Sequence, residues 1–332
     1  MITVTLYTRQ GCHLCEQAER DLKALQEEYS FRLVMVDIDA DAALQKAYAF
    51  EVPVVEIGPY TLRAPFTMQD LKMTLGAALD RYAQLERIDG DSYRGRVERR
   101  QAVTSADRIS YWISRHYMLV INLFLFLYVG LPFLAPVLKA VGADGPAEVI
   151  YTIYRPLCHQ WAFRSWFLFG EQAYYPHRAA GIEGVISFEE ATGISDVNDP
   201  ARIQARLFEG NAVLGYKVAL CQRDTAIWGA LLLFGLLYAL SGRRIPQIHW
   251  LAWILLGVLP PALDGFSQLI SQLPSDAIHT LLPYRESTPF LRSLTGFLFG
   301  WFTAWFGFPI FEEAMADTRR LLSPKIVGTV EQ

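Results

Sequence analysis

Two cysteines stand two residues apart, Cys12 and Cys15 in TRQGCHLCEQAER, where a strand-like opening gives way to a helical stretch. That spacing serves either reversible dithiol–disulfide exchange or one half of a zinc site. A zinc site needs further ligands, and only His13 lies near in sequence. A thiolate at a helix N-terminus is stabilised by the helix dipole, which lowers its pKa toward neutrality. The other two cysteines, Cys158 and Cys221, lie far down the chain in apolar sequence, each within a polar cluster. Those clusters are RPLCHQWAFRS (155–165), CQRD (221–224), DGFSQ (264–268) and RESTPFLRSLTG (285–296).

The elements around these residues set their context. At 332 residues the chain is long enough for two domains. Hydrophobic residues make up 52% of it, above the usual share for a soluble domain, and the composition shifts sharply between about residues 90 and 116. A net charge of −4 gives no footprint for nucleic acid, so none is expected as a partner. Four cysteines in a chain this size do not make a disulfide scaffold. The opening MITVTLYTRQ lacks a basic stretch followed by an apolar one, so no signal peptide is expected.

Residues 1–85 read as a small α/β domain. Strands are expected at 2–7 and 31–37, a hairpin at 54–57 and 61–63, and helices at 12–29, 40–49 and 67–82. The order β-α-β-α-β-β-α is that of a thioredoxin-type fold. With CHLC after the first strand and EVPVV leading into the third, the domain resembles the glutaredoxin-like family. That resemblance implies that Cys12 attacks, Cys15 resolves the mixed disulfide, and a cis Pro53 shapes the substrate groove. A thiol/disulfide partner protein or a small thiol is the partner it implies, and His13 becomes a tuner of redox potential. His13-Leu14 replaces the family's Pro-Tyr, and APFTM (64–68) stands where a Gly-Gly-x-Asp motif is usual.

Residues 86–115 read as a polar, arginine-rich linker, and 116–315 as an all-α polytopic membrane domain with a cytoplasmic tail at 316–332. The stretch 117–138 carries no charge and is long enough to cross a hydrocarbon core about 30 Å thick. Further crossings are expected at 212–240, at 249–270 with a kink at Pro260-Pro261, and at 289–311. Basic residues behind the spans then fall on one side, placing both termini in the cytoplasm and the chain in the inner membrane. Residues 149–170 are apolar but hold Arg155, His159 and Arg164, and are expected to be re-entrant or interfacial; the polar insertion 171–210 is expected as an external cap.

Helix arithmetic at about 1.5 Å per residue brings the four polar clusters to one depth, the outer third of the bilayer. Polar groups there are costly and default to function. The membrane-site candidates are Cys158, His159, Gln160, Arg164, Ser165, Cys221, Arg223, Asp224, Asp264, Gln268, Arg285, Glu286, Ser287 and Arg292. Cys-His-Gln, Arg-Ser, Asp-Gly-x-x-Gln and Arg-Glu-Ser-Thr together resemble the uncharacterised bacterial membrane proteins called domain of unknown function 2085, a resemblance that supplies no activity. Three chemistries stay open. Cys158 and Cys221 form a disulfide exchanging electrons with a quinone or external thiol. Alternatively, Cys158, His159, Cys221 and Asp264 bind zinc or another transition metal, with Asp224 or Glu286 supporting. In the third, Arg164, Arg223, Arg285 and Arg292 clamp an anionic lipid headgroup. The plain alternative is that arginines and acids pair to glue the bundle and the cysteines are small buried hydrophobes. Taken together, the sequence predicts a membrane-anchored thiol–disulfide oxidoreductase. The other reading is a membrane enzyme or transporter handling a metal ion or anionic headgroup, with the dithiol domain regulatory.

Overall fold

The computed structural model describes residues 2–194, 199–274 and 276–330. It opens with β1 (Ile2–Thr8), α1 (His13–Leu25), β2 (Phe31–Asp37), α2 (Ala42–Tyr48), β3 (Val54–Ile57) and β4 (Tyr60–Arg63). The four strands form one mixed sheet in the order β2-β1-β3-β4. β1 runs parallel to β2 and antiparallel to β3, which pairs with β4 as a hairpin. Alternation along β1 divides its side chains between two cores. Val4 and Leu6 pack with Leu22, Val55, Ile57, Leu71 and Leu75 on one face. Tyr7 packs with Val34, Val36, Ile38 and Leu44 on the other. This is the thioredoxin-like arrangement expected from the β-α-β-α-β-β-α order.

The closing helix is longer than its expected 67–82 range. α3 (Met68–Gln101) takes in much of the polar stretch, broken only at Gly90, whose φ of 33° leaves the helical region. Thr67 starts it by a reciprocal cap: its hydroxyl accepts from the Asp70 amide at 3.2 Å, while the Asp70 carboxylate accepts from the Thr67 amide at 2.7 Å. α4 (Ser105–Ala140) likewise begins twelve residues before the apolar run, because Thr104 and Asp107 cap it in the same way.

After α4 come α5 (Asp144–Tyr154), β5 (Ser165–Leu168), α6 (Phe188–Thr192), α7 (Asp199–Leu207), β6 (Gly210–Asn211), β7 (Gly215–Cys221) and α8 (Gln222–Leu240). Beyond these run α9 (Trp250–Ala252), a π-helical stretch Trp253–Val258, α10 (Leu259–Ser271), α11 (Asp276–Leu281) and α12 (Pro289–Val330). Among the described residues, four helices are long and apolar enough to cross a membrane: Ser105–Ala140, Gln222–Leu240, Trp250–Ser271 and Pro289–Ile326. Where a kink is expected at Pro260-Pro261, the structure shows a π-helical turn, Trp253–Val258, just before the prolines. Prolines lack the amide hydrogens that the preceding turn's carbonyls need as donors.

The second crossing is shorter than the expected 212–240. Residues Gly215–Cys221 form a strand that pairs antiparallel with β5 and β6 in a three-stranded sheet, order β5-β7-β6. Val218, Ala219 and Leu220 are fully buried against Ala147, Tyr151 and Tyr154 of α5, so their apolar run faces protein. A short apolar run preceding a helix cannot be told from helix by periodicity alone. The segment expected as re-entrant or interfacial becomes the second half of α5, a turn and β5. Of the insertion 171–210, residues 195–198 lie outside the described residues. Its remainder folds over β5, with Phe167, Tyr175, Phe188 and Ala205 in one apolar cluster.

The chain divides into two compact units. One holds Met1–Tyr117, Gly242–Arg244 and the chain from Phe311 onward; the other holds Met118–Ser241 and Ile245–Ile310. Within the first, Arg319 is buried, pairs with Asp41 and Glu312, and donates to the Ser114 carbonyl at 2.6 Å. Within the second, α12 meets α8 through two glycines. A Cβ on Gly300 would stand 2.1 Å from the Ile227 carbonyl oxygen, and one on Gly296 would stand 2.6 Å from that of Arg223. Small residues at such a crossing let apolar helices approach backbone to backbone. Gly300→Ala is therefore expected to cost about 1–3 kcal/mol by overpacking. Gly229→Ala, with nothing near the added methyl, is the control. Thermal unfolding in detergent checks this, and equal midpoints for the two variants would refute it.

Candidate functional site

The first site sits where β1 hands over to α1. Gly11, at φ 69°, turns the chain so that Cys12 caps α1. The Cys12 Sγ accepts a hydrogen bond from the Cys15 amide at 3.1 Å. Cys12 and Cys15 are joined by a disulfide, with Cα atoms 5.2 Å apart. Cys15 is buried, whereas Cys12 is half-buried and the intervening His13 and Leu14 are exposed. The α1 amides facing Cys12 carry the positive end of the helix dipole, which favours a thiolate once the disulfide opens. The register Tyr7↔Val54 sets the start of β3 beside the end of β1, four residues before Gly11. Pro53 precedes that start, is buried, and follows a cis Val52–Pro53 bond.

The second unit gathers most of the other candidates into two clusters. In one, Asp264 of α10 is almost fully buried and is held by Arg223 of α8, by Arg285 at 2.8 Å and by the Ser287 hydroxyl, which donates at 2.7 Å. Glu286 is equally buried. Arg164 meets it through two guanidinium nitrogens at 2.6 and 2.8 Å, Arg292 pairs with it, and Gln268 donates at 2.8 Å. Gln268 also accepts from Arg292 at 3.0 Å and from the Ser287 amide at 3.3 Å, and because the Ser287 hydroxyl donates to Asp264 this ties the two carboxylates' surroundings together. The Arg164 guanidinium carbon lies over the Trp161 ring, 4.2 Å from its centre. Burial by itself raises the Glu286 carboxyl, but the bond to Arg164 and the charges of Arg164 and Arg292 outweigh it and hold the group below the ordinary carboxylate range.

The other cluster holds Cys158, Cys221 and Asp224, whose ligand atoms all lie within 4.8 Å of one another. Cys221 caps α8, its Sγ accepting from the Asp224 amide at 3.5 Å, and its own amide donates to the Cys158 Sγ at 3.3 Å. Both thiols are free. The neighbouring thiols perturb each other: the presence of Cys221 pulls the Cys158 thiol down, while Cys158 and burial push Cys221 up. His159 is exposed, and Asp264 is committed to its arginines, so the structure does not bring the expected quartet of Cys158, His159, Cys221 and Asp264 together. The acid beside the two cysteines is Asp224 rather than Asp264.

Gln160 and Ser165 act on backbone. Gln160 adopts φ 53° and donates to the Tyr151 and Ala219 carbonyls at 3.0 Å each, stitching the cysteine loop to α5 and β7. Ser165 donates to the Trp161 carbonyl at 3.0 Å. Sequence reasoning missed Lys217, whose signal was a lone lysine in the apolar run YKVALC. It is fully buried in β7 and donates to the Gln160 and Arg206 carbonyls at 2.9 and 2.6 Å. Burial lowers its pKa to about 7. A lysine whose folded pKa lies below its unfolded value binds fewer protons folded than unfolded between about pH 7 and 10. Stability contributed at this position accordingly rises with pH across that window. Replacing Lys217 by methionine is expected to flatten the slope, and unfolding midpoints of both proteins from pH 7 to 10 would decide; parallel slopes would exclude it.

Comparison with known proteins follows the same division. Residues 3–82 match the model of a glutaredoxin-like domain (DUF836), and residues 210–306 match that of a predicted membrane protein family (DUF2085). An uncharacterized protein of the archaeon Methanocaldococcus jannaschii is 24% identical over 210 residues, covering 60% of this chain and 96% of its own. No solved structure matches. The chain thus carries a glutaredoxin-like domain with a Cys12–Cys15 pair at its N-terminus, followed by a predicted membrane protein domain. It is a multi-pass membrane protein, and the lipid bilayer is its surroundings.

Proposed function

We propose that this protein is a membrane-anchored thiol–disulfide oxidoreductase. The observation that carries the reading is the Cys12–Cys15 pair at the N-terminus of α1, its outer sulfur half-buried and its inner one buried, beside the buried Pro53. In the oxidising direction, a substrate thiolate attacks the Cys12 sulfur, forming a mixed disulfide and releasing Cys15 as thiolate. A second substrate thiolate then attacks the substrate sulfur, leaving a substrate disulfide and the Cys12/Cys15 dithiol. Two electrons pass from substrate to protein, and the protein's thiolates take up two protons from water. The reverse sequence reduces a partner disulfide. The substrate is a protein thiol or a small thiol.

The domain sits on the cytoplasmic side of the inner membrane. Arg243, Arg244, Arg319, Arg320 and Lys325 flank spans and belong to the same compact unit as the glutaredoxin-like domain, and positive residues are retained inside. Impermeant maleimide on intact cells tests this placement in a chain retaining only Cys12 and Cys15. After reduction by a permeant thiol, protection until lysis is expected, and labelling from outside would overturn the placement.

One observation favours a second reading, in which the membrane domain handles an anionic headgroup and the dithiol regulates it. Among the described residues, Arg164, Arg223, Arg285 and Arg292 pair with Asp264 and Glu286, four positive charges against two negative. An excess of positive charge at a site of this depth favours an anion. Binding of phosphatidylglycerol or inorganic phosphate to the detergent-solubilised chain, lost on Arg285→Gln, would support it.

A further inference from the structure

We infer that Cys158, Cys221 and Asp224 form a transition-metal site, taking zinc through two thiolates and one carboxylate. Two chain segments converge on it: the turn after α5 supplies Cys158, and the junction of β7 with α8 supplies Cys221 at the strand's end and Asp224 in the helix's first turn. Zinc–sulfur bonds of about 2.3 Å in a tetrahedron set ligand atoms roughly 3.7 Å apart, so a group already within 4.8 Å needs only a small inward rotation of side chains. The surroundings suit anionic sulfur. Each sulfur accepts a backbone amide, Cys158 from Cys221 at 3.3 Å and Cys221 from Asp224 at 3.5 Å. Such amide donors stabilise metal thiolates and orient them. The α8 N-terminus adds its positive dipole end to two of the three ligands.

The frame is held by packing and hydrogen bonds. Cys158 is buried in a cluster with Tyr154, Val218, Ala219 and Leu220, and Gln160 fastens the loop on both sides. Among the described residues the group has three members, leaving a fourth tetrahedral position for water or a substrate ligand. Binding Zn²⁺ releases the two thiol protons to the buffer and involves no electron transfer.

Cobalt provides the test. The full-length chain is purified in detergent with Cys12→Ser and Cys15→Ser, so that Cys158 and Cys221 are its only thiols, then reduced and titrated with CoCl₂. One Co²⁺ per chain with a thiolate-to-cobalt charge-transfer band is expected, displaced by Zn²⁺. Cys158→Ser and Cys221→Ser should each remove the band, and Asp224→Asn should weaken binding by roughly tenfold or more. His159→Ala should change nothing. Should the serine variants fail to fold, metal-dependent protection of both thiols from maleimide in the parent supplies the same answer. Absence of the band in reduced parent protein, its survival in either serine variant, or a disulfide between Cys158 and Cys221 that re-forms in preference to metal uptake would overturn the site. Because Cys12 and Cys15 are replaced in this variant, the outcome is independent of the redox proposal.

Discussion

Cys12→Ser is expected to abolish thiol–disulfide exchange by the full-length protein, a loss of at least about a thousandfold, conservative against the cost of deleting nucleophiles elsewhere. Only the outer sulfur can meet a partner: Cys15 is 1% exposed, whereas Cys12 is half-buried and is the residue capping α1. Cys15→Ser should behave differently. It leaves the attacking sulfur in place but removes the group that resolves the mixed disulfide, so a covalent Cys12–partner adduct should accumulate. Reduction of a fluorescent peptide disulfide by the detergent-solubilised protein reads the first effect. Non-reducing electrophoresis with mass spectrometry reads the second. Full activity in Cys12→Ser, or an adduct that requires Cys15, would reverse the assignment; retained activity in the double variant would leave the domain as a binding module.

Glu286→Ala should be the most destabilising single change in the second unit, costing about 3–5 kcal/mol, the scale for breaking a buried ion pair from one side. The reason is asymmetry. Removing the carboxylate leaves Arg292, 5% exposed in its side chain, and Arg164 without their common partner, while Gln268 and Gln272 lose an acceptor. A drop of roughly 10 °C in the unfolding midpoint is the expected reading. Arg285→Gln should cost much less, because that side chain is 31% exposed and Asp264 keeps Arg223 and Ser287. The pH dependence has a definite sign. Since Glu286 is held below the ordinary carboxylate range, its contribution is fully present above that range and is lost as pH falls through the lower folded value. Comparable midpoints for Glu286→Ala and the parent would show that the network does not hold the helices together.

The glutaredoxin-like domain was legible because its information is local. Alternation in FRLVMVD, the CxxC at a helix start and the proline before VVEI each act within a few residues, and the structure returns β2, the capped α1 and the cis bond at those places. Hydropathy likewise revealed four spans, since length and apolarity are properties of a segment alone. The ends of those segments were less legible. Capping by Thr104 extended α4 into polar sequence, and strand pairing with β5 withdrew Gly215–Cys221 from the helix that follows. Hydrogen-bond partners distant in sequence made that second choice.

The same holds for the clustered polar residues. Sequence alone determined that arginines, acids and cysteines recur in four short motifs of an apolar chain. Which of them touch was decided by tertiary packing. Asp264 chose Arg223 and Arg285, separated from it by 41 and 21 residues, while Glu286 took Arg164 from 122 residues away. A motif places a residue on an element, but a buried charge settles on whichever partner best replaces its lost water, and that partner is known only once the elements have packed.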